Sequence, residues 1–270
     1  MPARLLILGQ GYSGSRIAAA ARARGFEVVG VRRKAGAGAI AFDDPQLGER
    51  MAEATHILAS VPPCRETGAD PVLARFGEAL GRAAARLFYL SSTGVYGDTL
   101  GAFVDESAPV GAGRRSARTA ADLAWQALGA TVLRLPGIYG PGRSALDQVR
   151  AGTARRIDRP GHRFSRIHVD DIAGAALAIM EAGAGGIFNI ADDLPAEPRH
   201  VTEHACRLLG APFPPLEPLE AARLSPMAQG FWSERRVVAA LRLRRVTGYR
   251  LRHPDYKAGL EAILAEEQRG

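Results

Sequence analysis

Between Leu5 and Ile17 the chain reads Leu5-Leu6-Ile7-Leu8-Gly9-Gln10-Gly11-Tyr12-Ser13-Gly14-Ser15-Arg16-Ile17, and few folds accommodate such a stretch. A short apolar run predicts a strand. The glycines spaced G-x-G-x-x-G predict a turn, and Ala18-Ala19-Ala20 carry a helix onward. Gly9 permits the tight turn, Gly11 lets a phosphate approach the backbone, and Gly14 lets the helix pack against the strand. The first-turn N–H groups, which have no intrahelical partners, then face an anion. In a chain with 31 glycines the triplet alone is a weak signal, and an ordinary strand-to-helix turn competes with it. A second strand, Phe26 to Val31, closes a βαβ unit and supplies the required context. The stretch predicts a dinucleotide site built on Gly9, Gly11, Tyr12, Ser13 and Gly14.

The residues after the second strand bear on which dinucleotide. Arg32-Arg33-Lys34 stand where an acidic residue would bind a ribose 2′-hydroxyl, whereas arginine suits a 2′-phosphate. The guanidinium fork can grip phosphate oxygens in bidentate fashion. Arg32 and Arg33 therefore favour NADP(H) over NAD(H), the alternative being a solvated basic loop. Ala39 to Phe42 predicts a third strand, with Asp43-Asp44 near the adenine. Thr55 to Ser60 predicts a fourth, stopped by Val61-Pro62-Pro63. Strand carboxyl ends form the crevice of a doubly wound sheet, so Ser60, Val61 and Pro62 are expected to line it. Helical spacing of Leu73, Phe76 and Leu80 runs from Pro71 to Ala85, with Asp70 as N-cap.

Composition excludes several classes. The two cysteines, Cys64 and Cys206, form no CxxC, and no His/Cys cluster has metal spacing, which argues against a disulfide scaffold or a metal site. No apolar run is long enough to span a bilayer, and a strand starting so near Met1 predicts no signal peptide. A cytoplasmic protein without membrane contact is expected. The net charge of +7 raises nucleic-acid binding. Its arginines are scattered along helical and strand patterns, however, and the 6% of aromatic residues do not interleave with them as a stacking platform would. The expected partner is a small molecule rather than a nucleic acid, and a homodimer stays open.

Leu87 to Leu90 predicts a fifth strand running into Ser91-Ser92-Thr93-Gly94-Val95-Tyr96-Gly97-Asp98. This block resembles the S-S-x-x-V-Y-G-D segment of extended short-chain dehydrogenases/reductases, the NAD-dependent epimerase/dehydratase family. Further blocks follow in family order: Val104-Asp105-Glu106 with Pro109, Arg134 to Gly142, Arg166 to Ala173, and Gly186 to Ile190. The resemblance runs from Arg4 to about Gly210. It implies an α/β fold, a doubly wound parallel Rossmann-type sheet with a small C-terminal substrate-side lobe. The expected division is 1–140 and 164–193 for the dinucleotide-binding domain, and 141–163 and 194–270 for the lobe.

The same resemblance implies site residues. Thr93, or Ser92 depending on how the loop aligns, matches the family's catalytic Ser/Thr, although either hydroxyl can instead cap its own turn. Tyr96 shares that loop, and Pro136 falls on the cofactor side. The family's Tyr-x-x-x-Lys pair is absent: Gly30 stands four residues before Lys34, and His253 four before Lys257. The corresponding block places Arg114 at the tyrosine and Arg118 at the lysine. Arginine keeps its proton, so Arg114 cannot replace tyrosine as acid and base, whereas Arg118 can still hold a ribose or phosphate. Arg114, Arg143 and His168 are substrate-side candidates, and Asp170 or Asp171 is expected to cap the helix that follows. The departure resembles atypical, YeeZ-like members. Two functions stay open: an NADP-dependent oxidoreductase or epimerase-like enzyme acting on a small polar or nucleotide-sugar-like substrate, and a non-catalytic redox sensor or scaffold.

Overall fold

The computed structural model describes residues 3–36, 38–111, 113, 115–224, 229–230 and 232–269. Along the chain come β1 (Arg4–Leu8), α1 (Tyr12–Arg22), β2 (Glu27–Arg32), β3 (Ala39–Ala41), α2 (Leu47–Glu53), β4 (His56–Ala59), α3 (Pro71–Gly81) and β5 (Arg86–Ser92). Next are β6 (Phe103–Val104), α4 (Ser116–Ala127), β7 (Thr131–Leu135), β8 (Gly137–Tyr139), α5 (Ala145–Arg150), β9 (Arg156–Asp158), β10 (Arg166–His168), α6 (Val169–Glu181) and β11 (Ile187–Asn189). The last stretch adds α7 (Pro198–Leu209), β12 (Leu216–Pro218), β13 (Val237–Val238) and helices at Leu241–Thr247 and Tyr256–Glu267.

Seven strands form one parallel sheet in the order β11-β7-β5-β4-β1-β2-β3. The chain winds outward from β1 through β2 to β3, then crosses back to β4 and winds the other way. The loops after β1 and β4 therefore diverge and leave a crevice at their carboxyl ends. This is the doubly wound, Rossmann-type arrangement. It also explains why β1 is apolar from Leu5 to Leu8, since that stretch is buried on both faces. Leu5 and Ile7 enter a core shared with Ile17 of α1 and Ile172, Ala176 and Ile179 of α6. Leu6 and Leu8 enter the opposite core with Val72, Leu80, Tyr89 and Trp125. Side chains alternating across a strand produce this division.

The structure moves some predicted boundaries. β5 continues to Ser92 because β7 pairs with it that far, Ser92 opposite Leu135. α3 stops at Gly81, just past Leu80, the last of its periodic apolar residues. Asp70 caps α3 by accepting from the Val72 and Leu73 N–H groups at 2.9 and 3.0 Å. For α6 the cap is His168 rather than either aspartate: its Nδ1 accepts the Asp170 N–H at 3.2 Å. Asp171 instead turns toward the C-terminal stretch.

Beyond the sheet, Tyr139, Leu146, Ala196, Ala205, Tyr256, Leu260 and Ile263 form a separate core, and β9 pairs with β12. A smaller cluster joins Ile157, Phe164 and Trp232. The helix Leu241–Thr247 packs elsewhere, inserting Leu243 into the sheet core that holds α6.

Candidate dinucleotide and active site

Each glycine of the first turn has its own reason. Gly9 adopts φ +99°, a conformation side chains disfavour, and a Cβ there would stand 2.7 Å from Val61 Cγ2. A Cβ on Gly14 would stand 2.8 Å from the Gly9 carbonyl oxygen and 3.2 Å from Ile7 Cγ2, so α1 rests directly on the strand. At Gly11 the nearest atom is 4.0 Å away: the space above it is open. Ser60 Oγ donates to the Gly9 carbonyl at 2.5 Å, and the Gly9 and Gln10 N–H groups both reach the Val31 carbonyl, at 3.1 and 2.8 Å. The turn is thus tied to both strands that flank β1. Gly11 caps α1 without a side-chain hydrogen bond, and the first turn holds no acidic residue, leaving its N–H groups for an anion.

Above this turn lies a cavity of 1210 Å³. Of the sequence-predicted cofactor residues, Gly9, Gly11, Tyr12, Arg32, Arg33, Ser60, Val61 and Pro62 line it. Ser13 and Gly14 belong to α1 without lining the cavity, and Pro136, following β7, does not line it either. The two arginines after β2 differ. Arg32 is half-buried, its Nε donating to the Gln10 carbonyl at 2.8 Å and its Nη2 facing Ser15 Oγ at 3.4 Å. Arg33 is exposed.

Sequence reading missed Gln10, Ser15, Arg16, Phe42, Cys64, Arg65 and Glu66, all of which also line the cavity. Several sit only a few positions from predicted residues, but nothing local says which way each side chain faces. Phe42, next to the expected Asp43-Asp44, lines the cavity edge-on to Phe76 at 5.4 Å. Asp44 spends an oxygen on the Gln46 N–H at 2.9 Å.

None of Ser92, Thr93, Tyr96 and Arg118 lines this cavity. Ser92 Oγ accepts the Gly94 N–H at 3.1 Å and caps the short helical turn Thr93–Tyr96. The buried Thr93 hydroxyl makes no hydrogen bond to another described residue. Tyr96 is buried, donating to Asn189 Oδ1 at 2.8 Å and accepting from Arg134 Nη1 at 3.0 Å, and burial raises its pKa. Arg134 is in turn held by Asp122, which also accepts from Ser91 Oγ at 2.5 Å. Arg118 is half-buried near the Tyr89 hydroxyl, whose pKa burial pushes up to about 12. The side chain of Arg115 lies across Gly94. Arg114 falls outside the described residues.

The other substrate-side candidates separate. Arg143 stacks over the Tyr12 ring at 5.7 Å, while the Tyr12 hydroxyl donates to the Pro141 carbonyl at 3.0 Å, so Arg143 stands beside a residue of the cavity lining. His168 is buried with its ring 3.9 Å from that of His253. Burial pushes its pKa down to about 4. The ligand atoms of His168, Asp171 and His253 lie within 4.8 Å of one another, a convergence that sequence spacing did not reveal. As arranged, these groups are a latch. Asp171 accepts from the Tyr249 hydroxyl, the Arg252 and His253 N–H groups and His253 Nδ1, at 2.7 to 3.0 Å, using all four of its acceptor positions. His168 Nδ1 accepts a backbone N–H, so in the neutral ring the proton resides on Nε2.

Among the described residues no helix is long and apolar enough to cross a membrane. No protein-family model matches the chain. Part of it, 49%, is 33% identical to a 3-diazoavenalumate denitrifying reductase of a Streptomyces species, and the match spans only 46% of that reductase. Over 93% of its length it is 27% identical to Protein YeeZ of Escherichia coli K12, covering 97% of that protein. Among solved structures, a functionally unknown conserved protein from Silicibacter pomeroyi is 38% identical, with a TM-score of 0.89 over 98% of this chain and 99% of that one. A Methylobacillus flagellatus protein proposed to be an NAD-dependent epimerase/dehydratase is 25% identical, with a TM-score of 0.74 over 99% of this chain and all of that one. The human epimerase family protein SDR39U1, solved with NADPH, shares the fold at 20% identity and a TM-score of 0.77, over 97% of this chain and 99% of that one. With its glycine turn and its crossover crevice, the chain is similar to proteins of the NAD-dependent epimerase/dehydratase family and, over most of its length, to YeeZ.

Proposed function

We propose that this protein binds NADP(H) in the cavity above the glycine turn and works as an oxidoreductase or epimerase-like enzyme on a small polar or nucleotide-sugar-like substrate. The observation that carries the reading is the cavity itself, whose α1 N-terminus, open Gly11 and surrounding arginines match a dinucleotide's phosphates. When bound, NADP(H) supplies or accepts the hydride. The chain's part is to hold the dinucleotide on the α1 N–H groups, to pair arginine with a 2′-phosphate, and to present a hydroxyl to the substrate. Thr93 suits that last role, since Ser92 is engaged in capping. Arg114 would stabilise negative charge on the substrate and Arg118 would hold a ribose or phosphate, neither giving up a proton.

A redox sensor or scaffold is the second reading. It is favoured by the engagement of both the Ser92 and Tyr96 side chains in internal hydrogen bonds. Calorimetric titration of the purified chain with NADPH and NADH tests the cofactor, and NADPH is expected to bind at least about tenfold more tightly, the lower end for one charged hydrogen bond. Incubation with aldehydes, sugars and nucleotide sugars, followed through nicotinamide absorbance, tests the chemistry. Binding without turnover on any of them would favour the sensor, and no binding of either dinucleotide would remove both readings.

A further inference from the structure

Four arginines and one glutamate line the dinucleotide cavity, and the arginines are not equivalent. Arg16 faces Asp170, 3.6 Å between Nη1 and Oδ1. Arg32 is spent on the turn, bonded to the Gln10 carbonyl and close to Ser15. A guanidinium so engaged holds α1 and β2 in register and has fewer donors left for a ligand. Arg33 and Arg65 are both exposed, and neither has a hydrogen bond or ion pair to another described residue.

These two come from opposite sides. Arg33 follows β2 and Arg65 follows β4, and β2 and β4 are the two neighbours of β1 in the sheet. Their loops overlook the same crevice from either flank. Arg65 belongs to the loop leading from β4 to Pro71, which lines the cavity from the flank opposite Arg33. Phe42 packs against Phe76 of α3. The adjacent Glu66 is the one acidic lining residue; its Oε2 accepts the Cys64 thiol at 2.9 Å, and Arg65 acts on its exposed carboxylate only as a minor charge attraction.

We infer that Arg65, together with Arg33, forms a two-sided clamp on the 2′-phosphate of NADP(H), with Arg32 organising the turn rather than gripping the phosphate. This inference rests on the NADP(H) reading above. It names Arg65 as a specificity-determining residue that no motif marks, because its partner in the clamp lies 32 positions away in sequence and across β1 in space.

Titration calorimetry with 2′,5′-ADP and 5′-AMP isolates the 2′-phosphate from the rest of the dinucleotide. The wild-type chain should prefer 2′,5′-ADP. Arg65→Ala should weaken 2′,5′-ADP about tenfold, the lower end for a charged hydrogen bond at an exposed site, and leave 5′-AMP unchanged. Arg65→Lys should recover part of the loss. An equal loss for both ligands would assign Arg65 to general attraction or to the other phosphates and overturn the clamp. So would an unchanged preference in Arg65→Ala with complete loss in Arg32→Ala. A wild-type chain that binds both ligands equally would instead overturn the NADP(H) reading itself, and the clamp with it.

Discussion

Asp122 and Arg134 form a two-point ion pair, Oδ1 to Nη2 at 2.7 Å and Oδ2 to Nε at 3.1 Å, with both side chains removed from solvent. The pair joins α4, which carries Arg118, to β7. Through Ser91 and Tyr96 it also fixes the end of β5 and the turn that follows. A carboxylate and a guanidinium buried together are each costly to leave alone.

Asp122→Ala is therefore expected to destabilise the fold by about 3–5 kcal/mol, because it strands a buried guanidinium. Urea unfolding followed by circular dichroism measures this. A loss below about 1 kcal/mol, the scale of an exposed ion pair, would mean that water reaches Arg134.

The glycine turn separates binding from folding. Gly11→Val places its side chain in open space above the turn, so the fold should persist while dinucleotide binding is lost. Gly14→Val drives a side chain into the Gly9 carbonyl and Ile7, so it should cost stability first, by about 1–3 kcal/mol for overpacking. Melting temperature and NADPH titration on both variants give the comparison. Unchanged NADPH affinity in folded Gly11→Val would contradict this placement of the phosphates.

His162 is buried between Phe164 and Trp232, at ring distances of 4.7 and 5.2 Å, and neither ring nitrogen has a partner among the described residues. Burial, reinforced by Arg159 and Arg235 and opposed by Asp98 and Glu197, pushes its pKa down to about 4 from 6.5. With the folded value below the unfolded one, the unfolded chain binds more protons between those two pH values. Stability is full above about pH 6.5 and falls as pH drops toward 4, by on the order of 3 kcal/mol for this group. His168 acts in the same direction over the same range. His162→Phe should keep the aromatic packing and flatten part of this acid slope. Thermal unfolding between pH 4 and 7 checks it, and an unaltered slope in the variant would mean that other groups cause the loss.

Asp192 has the opposite sign. It is buried, and burial pushes its pKa up to about 8 from 3.8 despite the Arg166 guanidinium and the backbone N–H groups of Arg166 and Leu194 nearby. The folded chain then holds the proton longer, so stability from this group is full below about pH 4 and declines as pH rises to 8. Asp192→Asn should remove that decline and raise the melting temperature most near pH 8. A variant less stable than wild type at pH 8 would show that Asp192 is ionised and paired with Arg166 in the folded protein.

The amino-acid sequence by itself determined the dinucleotide turn. Strand, glycines and helix are contiguous there, and each glycine's role follows from backbone sterics within a few residues. Asp70 as the cap of α3 was legible for the same reason. Only tertiary structure decided which side chains share the cavity and which are locked away. Arg65 and Phe42 reach the crevice because β4 and β3 lie on opposite sides of β1 in the sheet. Tyr96, which motif spacing alone left open to catalysis, is held by Arg134 and Asn189 from strands distant in sequence. The cap of α6 passed to His168 because Asp171 found four donors some eighty residues downstream. Local patterns report conformations set by neighbouring atoms. Partnerships between buried charges depend on which strands are adjacent, and strand order is a property of the folded chain.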